Sequence, residues 1–233
     1  MATVHLRPTS RVTGEHRRQQ ILTVATELFA GQGFNGTTTR HIAERAGVNE
    51  AIIFRHFPSK EDLYWAVIEQ KCLEGQGQSI VRQRLAGGGS HQEIFAGIAQ
   101  DFFRLRENDF TLGRLLLFSA LENHRLSHRF FRTHIAELYE ELAQYIRRQI
   151  AEGKFRKVDP LLAARSFWGV IVYHFLVQEL FGGKRYQRLD SGQVSQALAE
   201  IWLKGMLPGR AEGQAENGTK AKRGLRKAEK DGP

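Results

Sequence analysis

An all-α fold is predicted for this 233-residue chain from three observations. Apolar residues recur at three- and four-residue steps through most of its length. Two short helical segments near residue 47 are joined by a tight glycine turn, and breaks rich in Gly, Pro, Asn and Ser cut the remainder into helix-length pieces. The expected architecture is an N-terminal three-helix domain containing a helix-turn-helix, followed by a C-terminal helical bundle.

The first predicted helix, residues 16–33, carries Ile21, Leu22, Ala25, Leu28 and Phe29 on one apolar stripe. Residues 36–60 hold the helical pair. Ile42, Ala43 and Ala46 give its first helix a small apolar face, and Gly47 ends it, because the residue past a helix C-terminus often needs a positive φ that glycine reaches without steric cost. Val48 plugs the corner and Asn49 caps the next helix. In that helix Ile53 and Phe57 face inward, leaving Glu50, Ala51, Ile52, Phe54, Arg55 and His56 for the outer side and the start. Pro58 then breaks the chain. Ser59, with Asp62 three residues on, starts a long connecting helix whose stripe is Leu63, Ala66, Val67 and Cys72.

Taken in register, Phe29, Gly33, Gly36, Thr37-Thr38, Ile42-Ala43, Ala46-Gly47-Val48, His56-Phe57, Lys60 and Leu63 resemble the N-terminal signature of the TetR family of bacterial transcription regulators. The match covers roughly the first third of the chain. It departs at two positions: the family usually has Tyr where this chain has Phe54, and often Ser where it has Asn49. Phe54 lacks the phenol that would donate to a phosphate, whereas Asn49 keeps both the helix cap and a polar group.

Composition agrees with this reading without requiring it. The net charge of +9 is spread as +2 over residues 1–65, +3 over 66–203 and +4 over 204–233, so the reading head is only mildly basic and directed contacts are expected rather than a broad patch. One cysteine, Cys72, allows no intramolecular disulfide, and a packing role is expected for it. No apolar segment near 18 residues and no signal-like stretch is expected, which favours a cytoplasmic protein with no membrane partner.

Beyond residue 75 the breaks cut out five further helices. The longest is expected over 127–152, with Phe131, Ile135, Leu138, Leu142, Ile146 and Ile150 as its stripe. Asp159-Pro160 opens the most apolar helix of the chain, with a cap followed by Pro at the first helical position. Its apolar residues cover more than one face, which a partner subunit would bury; a helix central to its own domain is the alternative. With the last helix, striped by Val194, Leu198, Ile201 and Trp202, it resembles the family's paired C-terminal helices, which form a four-helix interface in a two-fold dimer. On that resemblance Phe167, Ile171, His174, Leu198, Ile201 and Trp202 are candidate dimer contacts.

The expected division is a flexible arm at 1–14, a DNA-binding domain at 15–60, a ligand-binding and dimerisation domain at 61–208, and a basic, disordered tail at 209–233. Several motifs are discounted. Gly31 to Gly36 spells G-x-G-x-x-G, but after a helix instead of a strand. His124, His128 and His134 lack the partners of a metal site. No catalytic constellation, metal or cofactor is expected.

The resemblance implies a homodimeric, ligand-responsive regulator, most often a repressor, on an inverted-repeat operator in double-stranded DNA. Glu50, Ala51 and Ile52 would meet base edges from the helix that Asn49 caps, while Thr38, Thr39, Arg40, Arg55, His56 and Lys60 suit phosphates. Candidate pocket residues for a small apolar effector are Phe103, Leu117, Phe118, Leu121, Trp168, Val172 and Phe175. The alternative is an all-helical dimeric sensor or scaffold without sequence-specific DNA binding.

Overall fold

The computed structural model describes residues 14–75, 77–107, 109–122 and 125–208. The expected N-terminal arm, apart from Gly14, and the expected basic tail lie outside the described residues. Within them the chain is helical and forms two compact units: residues up to 76 together with 106–132, and residues 77–105 together with those from 133 onward.

The first unit contains α1 (Gly14–Gly36), α2 (Thr39–Ala46), α3 (Glu50–His56), α4 (Lys60–Gly75), α7 (Thr111–Leu121) and α8 (Arg125–Phe130). The predicted stripes are its core: Ile21, Leu22, Ala25, Leu28 and Phe29 of α1, Ile42 of α2, Ile53 of α3, and Leu63, Tyr64, Val67 and Ile68 of α4 are buried. α1 packs on α7 as well as on α2 and α4. Tyr64 is fully enclosed, and its hydroxyl donates to the Leu115 carbonyl at 2.6 Å. Its ring meets Phe29 edge-on at 4.7 Å and Phe34 at 5.4 Å, an aromatic cluster that sets the end of α1. Cys72 is part-buried, and burial raises its thiol pKa to about 11, which keeps it a protonated packing group.

The end of α1 is tied to α7 by more than apolar contact. Gly33 turns the backbone at φ 74, ψ 179. The next two amides, of Phe34 and Asn35, donate to one oxygen of the Glu122 carboxylate, each at 3.2 Å. Arg114 of α7 donates to the Ala30 carbonyl, and the buried Thr37 hydroxyl donates to the Gly33 carbonyl at 2.9 Å.

The second unit holds α5 (Gly77–Ala86), α6 (His91–Arg106, its last residue in the first unit), α9 (Ala136–Ala151), α10 (Pro160–Glu179) and α11 (Ser191–Met206). Phe95 is its centre, fully buried against Phe167 at 4.9 Å and Trp202 at 4.6 Å. The Trp202 indole N–H donates to Ser166 at 3.0 Å, satisfying the polar edge of a ring otherwise in the core. Asp159 caps α10 through Leu162 N at 2.7 Å, as its sequence predicts, and Asp190 caps α11 in the same way through Gln193 N.

Three expectations are corrected. Seven α-helices, not five, follow residue 75 among the described residues. The helix expected over 127–152 is interrupted by a π turn at Phe131–Ile135 between α8 and α9. The wider turn shifts the register, so Phe131 is 47% exposed while Leu142 and Ile146 stay fully buried. Finally, α10 does reach the length and apolarity of a membrane-crossing helix, with a mean hydropathy of 1.4 over 18 residues. Single-residue breaks by Arg165 and His174 hid that in the sequence, and the helix buries Ala163, Ala164, Phe167, Trp168, Ile171 and Phe175 inside its own unit.

Gly33→Ala tests the α1–α7 tie. A Cβ there would meet the Glu122 carboxylate and the Phe118 ring, at a φ of +74 that L residues rarely adopt. The expected cost is about 1–3 kcal/mol, read as a lower urea midpoint with an unchanged slope. An unchanged midpoint would show that this turn is not held as described.

Candidate nucleic-acid interface

The helix-turn-helix is assembled by short-range hydrogen bonds. Thr38 caps α2 by accepting from His41 N at 3.1 Å. Gly47 closes the helix in the left-handed region, φ 62 and ψ 36, with its N–H turned back to the last carbonyls. The Val48 amide then donates to the Ala43 carbonyl at 3.0 Å, and Gln20 of α1 donates to the Ala46 carbonyl at 2.7 Å. Asn49 starts α3 by accepting from Ala51 N at 2.7 Å. The Ala43, Glu44 and Ala46 carbonyls and the Gly47, Val48 and Ala51 amides at the tight turn thus have partners.

Ile53 and Phe57 are 1% and 3% exposed, and their burial fixes the rotation of α3. Ala51, Phe54 and Arg55 are therefore exposed, and Glu50, Ile52 and His56 half-exposed. Phe54 is 46% exposed, a large ring with no polar handle on the outer face. Asn49 uses only its side-chain oxygen for the cap, so its amide hydrogens remain for a phosphate or a base edge. Thr38 likewise accepts in its cap and keeps its hydroxyl hydrogen.

Other predicted phosphate contacts are engaged within the protein. Thr39 gives its hydroxyl hydrogen to Glu50. Arg40 pairs with Glu44 at 3.0 Å, but with side chains 81% and 61% exposed that pair is weak and yields readily. The Lys60 ammonium lies 4.2 Å over the Phe34 ring. Burial lowers its pKa, against the opposing pull of Glu61 and Glu122. Arg18 of α1, which sequence reasoning missed, stacks its guanidinium on Phe57 at 5.1 Å. Glu122 was also missed: its partners lie 88 and 87 residues away, and no local pattern announces such a contact.

The candidate effector residues divide between the units. Phe103, Trp168 and Phe175 belong to the second, buried there at 7%, 5% and 7% exposure. Phe102, not anticipated, links them by ring contacts of 5.8 Å to Trp168 and 5.5 Å to Phe175. The fourth member, Val172, lies one turn from Trp168 on the same side of α10 but is 38% exposed. Leu117, Phe118 and Leu121 belong to the first unit. Phe118 packs by Gly33, and Leu121 projects at 83% exposure from the last turn of α7.

The candidate dimer residues are corrected more sharply. Phe167 and Ile171 are fully buried and Trp202 is 8% exposed, because they fill the Phe95 core of their own unit. His174 and Leu198 are half-buried, His174 with its ring against Phe103 at 5.6 Å. Burial holds its imidazole pKa below the ordinary value. Of the six, Ile201 alone is fully on the surface, joined by Leu162 and Tyr173 at 66% and 68% exposure. Of the discounted histidines, His128 is exposed, His134 half-buried, and His124 outside the described residues.

Two family profiles match the chain: "Bacterial regulatory proteins, tetR family" over residues 21–67 and "AefR-like transcriptional repressor, C-terminal domain" over residues 96–201. The HTH-type transcriptional regulator RutR of Escherichia coli (strain K12) is 30% identical over 202 residues, 82% of this chain and 91% of RutR. The HTH-type transcriptional activator FasR of Mycolicibacterium smegmatis is 32% identical over 100 residues, and the match spans 43% of this chain and 45% of FasR. In fold, the chain is similar to FadR of Bacillus subtilis, solved in complex with stearoyl-CoA, with a TM-score of 0.61 at 21% identity over 80% of this chain and 98% of that one.

Gly47 offers a clean test of the turn, because a Cβ there would meet nothing within 4 Å. Gly47→Ala is expected to cost about 1 kcal/mol of backbone conformation alone. Gly47→Asn is expected to cost less, since Asn enters the left-handed region more readily. Equal urea midpoints for the two variants would contradict this account.

Proposed function

Because this chain belongs to the TetR family of bacterial regulatory proteins and is a DNA-binding transcriptional regulator, we propose that it works as a homodimeric repressor that a small apolar effector releases from an inverted-repeat operator. The observation that carries the DNA part is the rotation of α3. With Ile53 and Phe57 buried, the side offered to a major groove is Glu50, Ala51, Ile52, Phe54 and Arg55. Ala51 and Ile52 suit thymine methyls and Glu50 a base amino group. Arg55, Thr38, Asn49 and His56 supply register through phosphates.

Dimerisation rests on the apolar side chains that α10 and α11 leave exposed, Leu162, Tyr173 and Ile201. Gly169, on the same exposed side of α10, would let a partner helix approach closely. Two-fold symmetry then makes the operator an inverted repeat. The effector reading rests on the cluster of Phe102, Phe103, Trp168 and Phe175. The Trp168 indole N–H is buried there without an acceptor, so an apolar molecule carrying one polar oxygen is the ligand class it would hold. Acyl thioesters are the first class to test, given the stearoyl-CoA bound to FadR. A repressor that reads chromosomal DNA acts in the cytoplasm, and binding is the only chemistry this role requires.

Selection of sites from random duplex DNA tests the reading directly. An enriched inverted repeat whose binding persists at moderate salt is expected; salt-labile binding with no shared sequence would overturn it. Arg55→Ala is expected to weaken binding to all sequences alike and to flatten the log K against log salt slope by about 1. Tyr173→Asp combined with Ile201→Asp is expected to give a folded monomer by sedimentation and to lose most operator affinity. A dimer that persists in that variant would exclude this surface as the interface.

A further inference from the structure

Thr39 and Glu50 stand at the starts of two different helices, eleven residues apart, and meet directly. The Thr39 hydroxyl donates to Glu50 Oε1. Both side chains are half-buried. A threonine hydroxyl has one hydrogen, and here it is spent on the carboxylate. A phosphate oxygen only accepts, so Thr39 in this arrangement has nothing to give it. Its neighbour Thr38, whose oxygen accepts from His41 N, keeps its own hydrogen and is the better phosphate contact of the two.

Glu50 is the first residue of α3 and keeps its second oxygen, Oε2, for another donor. An ionised carboxylate also only accepts, and near DNA it is repelled by every phosphate. It is tolerated at a reading head only where the groove offers it a hydrogen. The major groove has two such donors, the amino groups of cytosine and adenine. Adenine places the N7 acceptor beside its amino group, which opposes a carboxylate; cytosine places a C–H there. Glu50 is otherwise a long and flexible side chain, and tying one oxygen removes rotamer freedom before DNA arrives rather than on binding.

We propose that Thr39 is a positioning residue for base readout: it holds Glu50 so that Oε2 accepts from a cytosine amino group in each half-site. The proposal rests on the DNA-binding reading above and assigns Thr39 a role in specificity in place of phosphate binding.

The test compares the unmodified protein with Thr39→Val, Thr39→Ser, Glu50→Ala and the double variant Thr39→Val/Glu50→Ala. Sites are selected from random duplexes, and affinities are then measured on the selected operator and on operators changed at one base pair at a time. Glu50→Ala is expected to abolish a preference for cytosine at one position per half-site. Thr39→Val is expected to weaken that same preference by roughly tenfold, with little change at other positions and no change in salt slope. Thr39→Ser keeps the hydroxyl and is expected to restore the preference. The double variant is expected to discriminate no less than Glu50→Ala alone, because Thr39 acts only through Glu50.

A uniform loss across all sequences in Thr39→Val, with a shallower salt slope, would make Thr39 a phosphate contact and overturn the proposal. So would an intact base preference in Glu50→Ala, or a Glu50-dependent position that reads a base other than cytosine. Failure of the reading beneath it has a different signature, in which the unmodified protein enriches no motif at all. Glu50→Ala removes only a half-exposed side chain, so its outcome stands even if Thr39→Val lowers stability.

Discussion

α3 spans seven residues, and a helix of that length has no stability of its own in water. Its existence and its orientation both come from Ile53 and Phe57, which enter a core already built by Ile21, Leu22, Phe29, Ile42 and Leu63. The same two residues decide which side chains are left outside. Position within the helix and availability to DNA are therefore one constraint. A change that loosened either anchor would cost the reading surface its geometry as well as its stability. The caps add direction: Asn49 begins the helix, and Gly47 lets the chain turn sharply enough for α3 to return across α2.

The core that holds α3 extends beyond the motif. α7 and α8 belong to the same compact unit as α1–α4. The link is polar and specific: Glu122 takes the Phe34 and Asn35 amides, Arg114 takes the Ala30 carbonyl, and Tyr64 takes the Leu115 carbonyl. These bonds converge on the turn at Gly33, and the Thr37 hydroxyl carries the connection to the residue before the cap of α2. A displacement of α7 thus has a short route to the start of the helix-turn-helix. If a ligand biases α7 it biases DNA affinity, and DNA biases ligand affinity by the same factor.

Legibility in the sequence followed the range of the interaction. Gly47, Asn49, Ser59 and Asp159 were read correctly because their partners lie within four residues along the chain. The inner faces of α1, α2 and α3 were legible because each helix has one apolar stripe and one wet side. α10 is different. Its apolar residues run all round, so periodicity could not say which face meets the Phe95 core, and Phe167 and Ile171 were assigned outward when they point inward. The π turn at Phe131–Ile135 left no mark because the same apolar spacing fits an unbroken helix. Glu122 and Arg18 were invisible since their partners are fixed by packing alone.

The electrostatics of the reading head bear on why such a protein would be a dimer. Residues 1–65 carry a net charge of only +2, Lys60 is held over an aromatic ring, and Glu50 opens α3 with a carboxylate. A single head with so few available cations neutralises few phosphates and gains little non-specific affinity. Joining two heads in a dimer makes the second contact intramolecular, which raises affinity without adding charge. It also rewards only those sites where both half-sites fit. A weakly basic head is then an advantage: it lingers little on random sequence, and discrimination is left to directed contacts made twice.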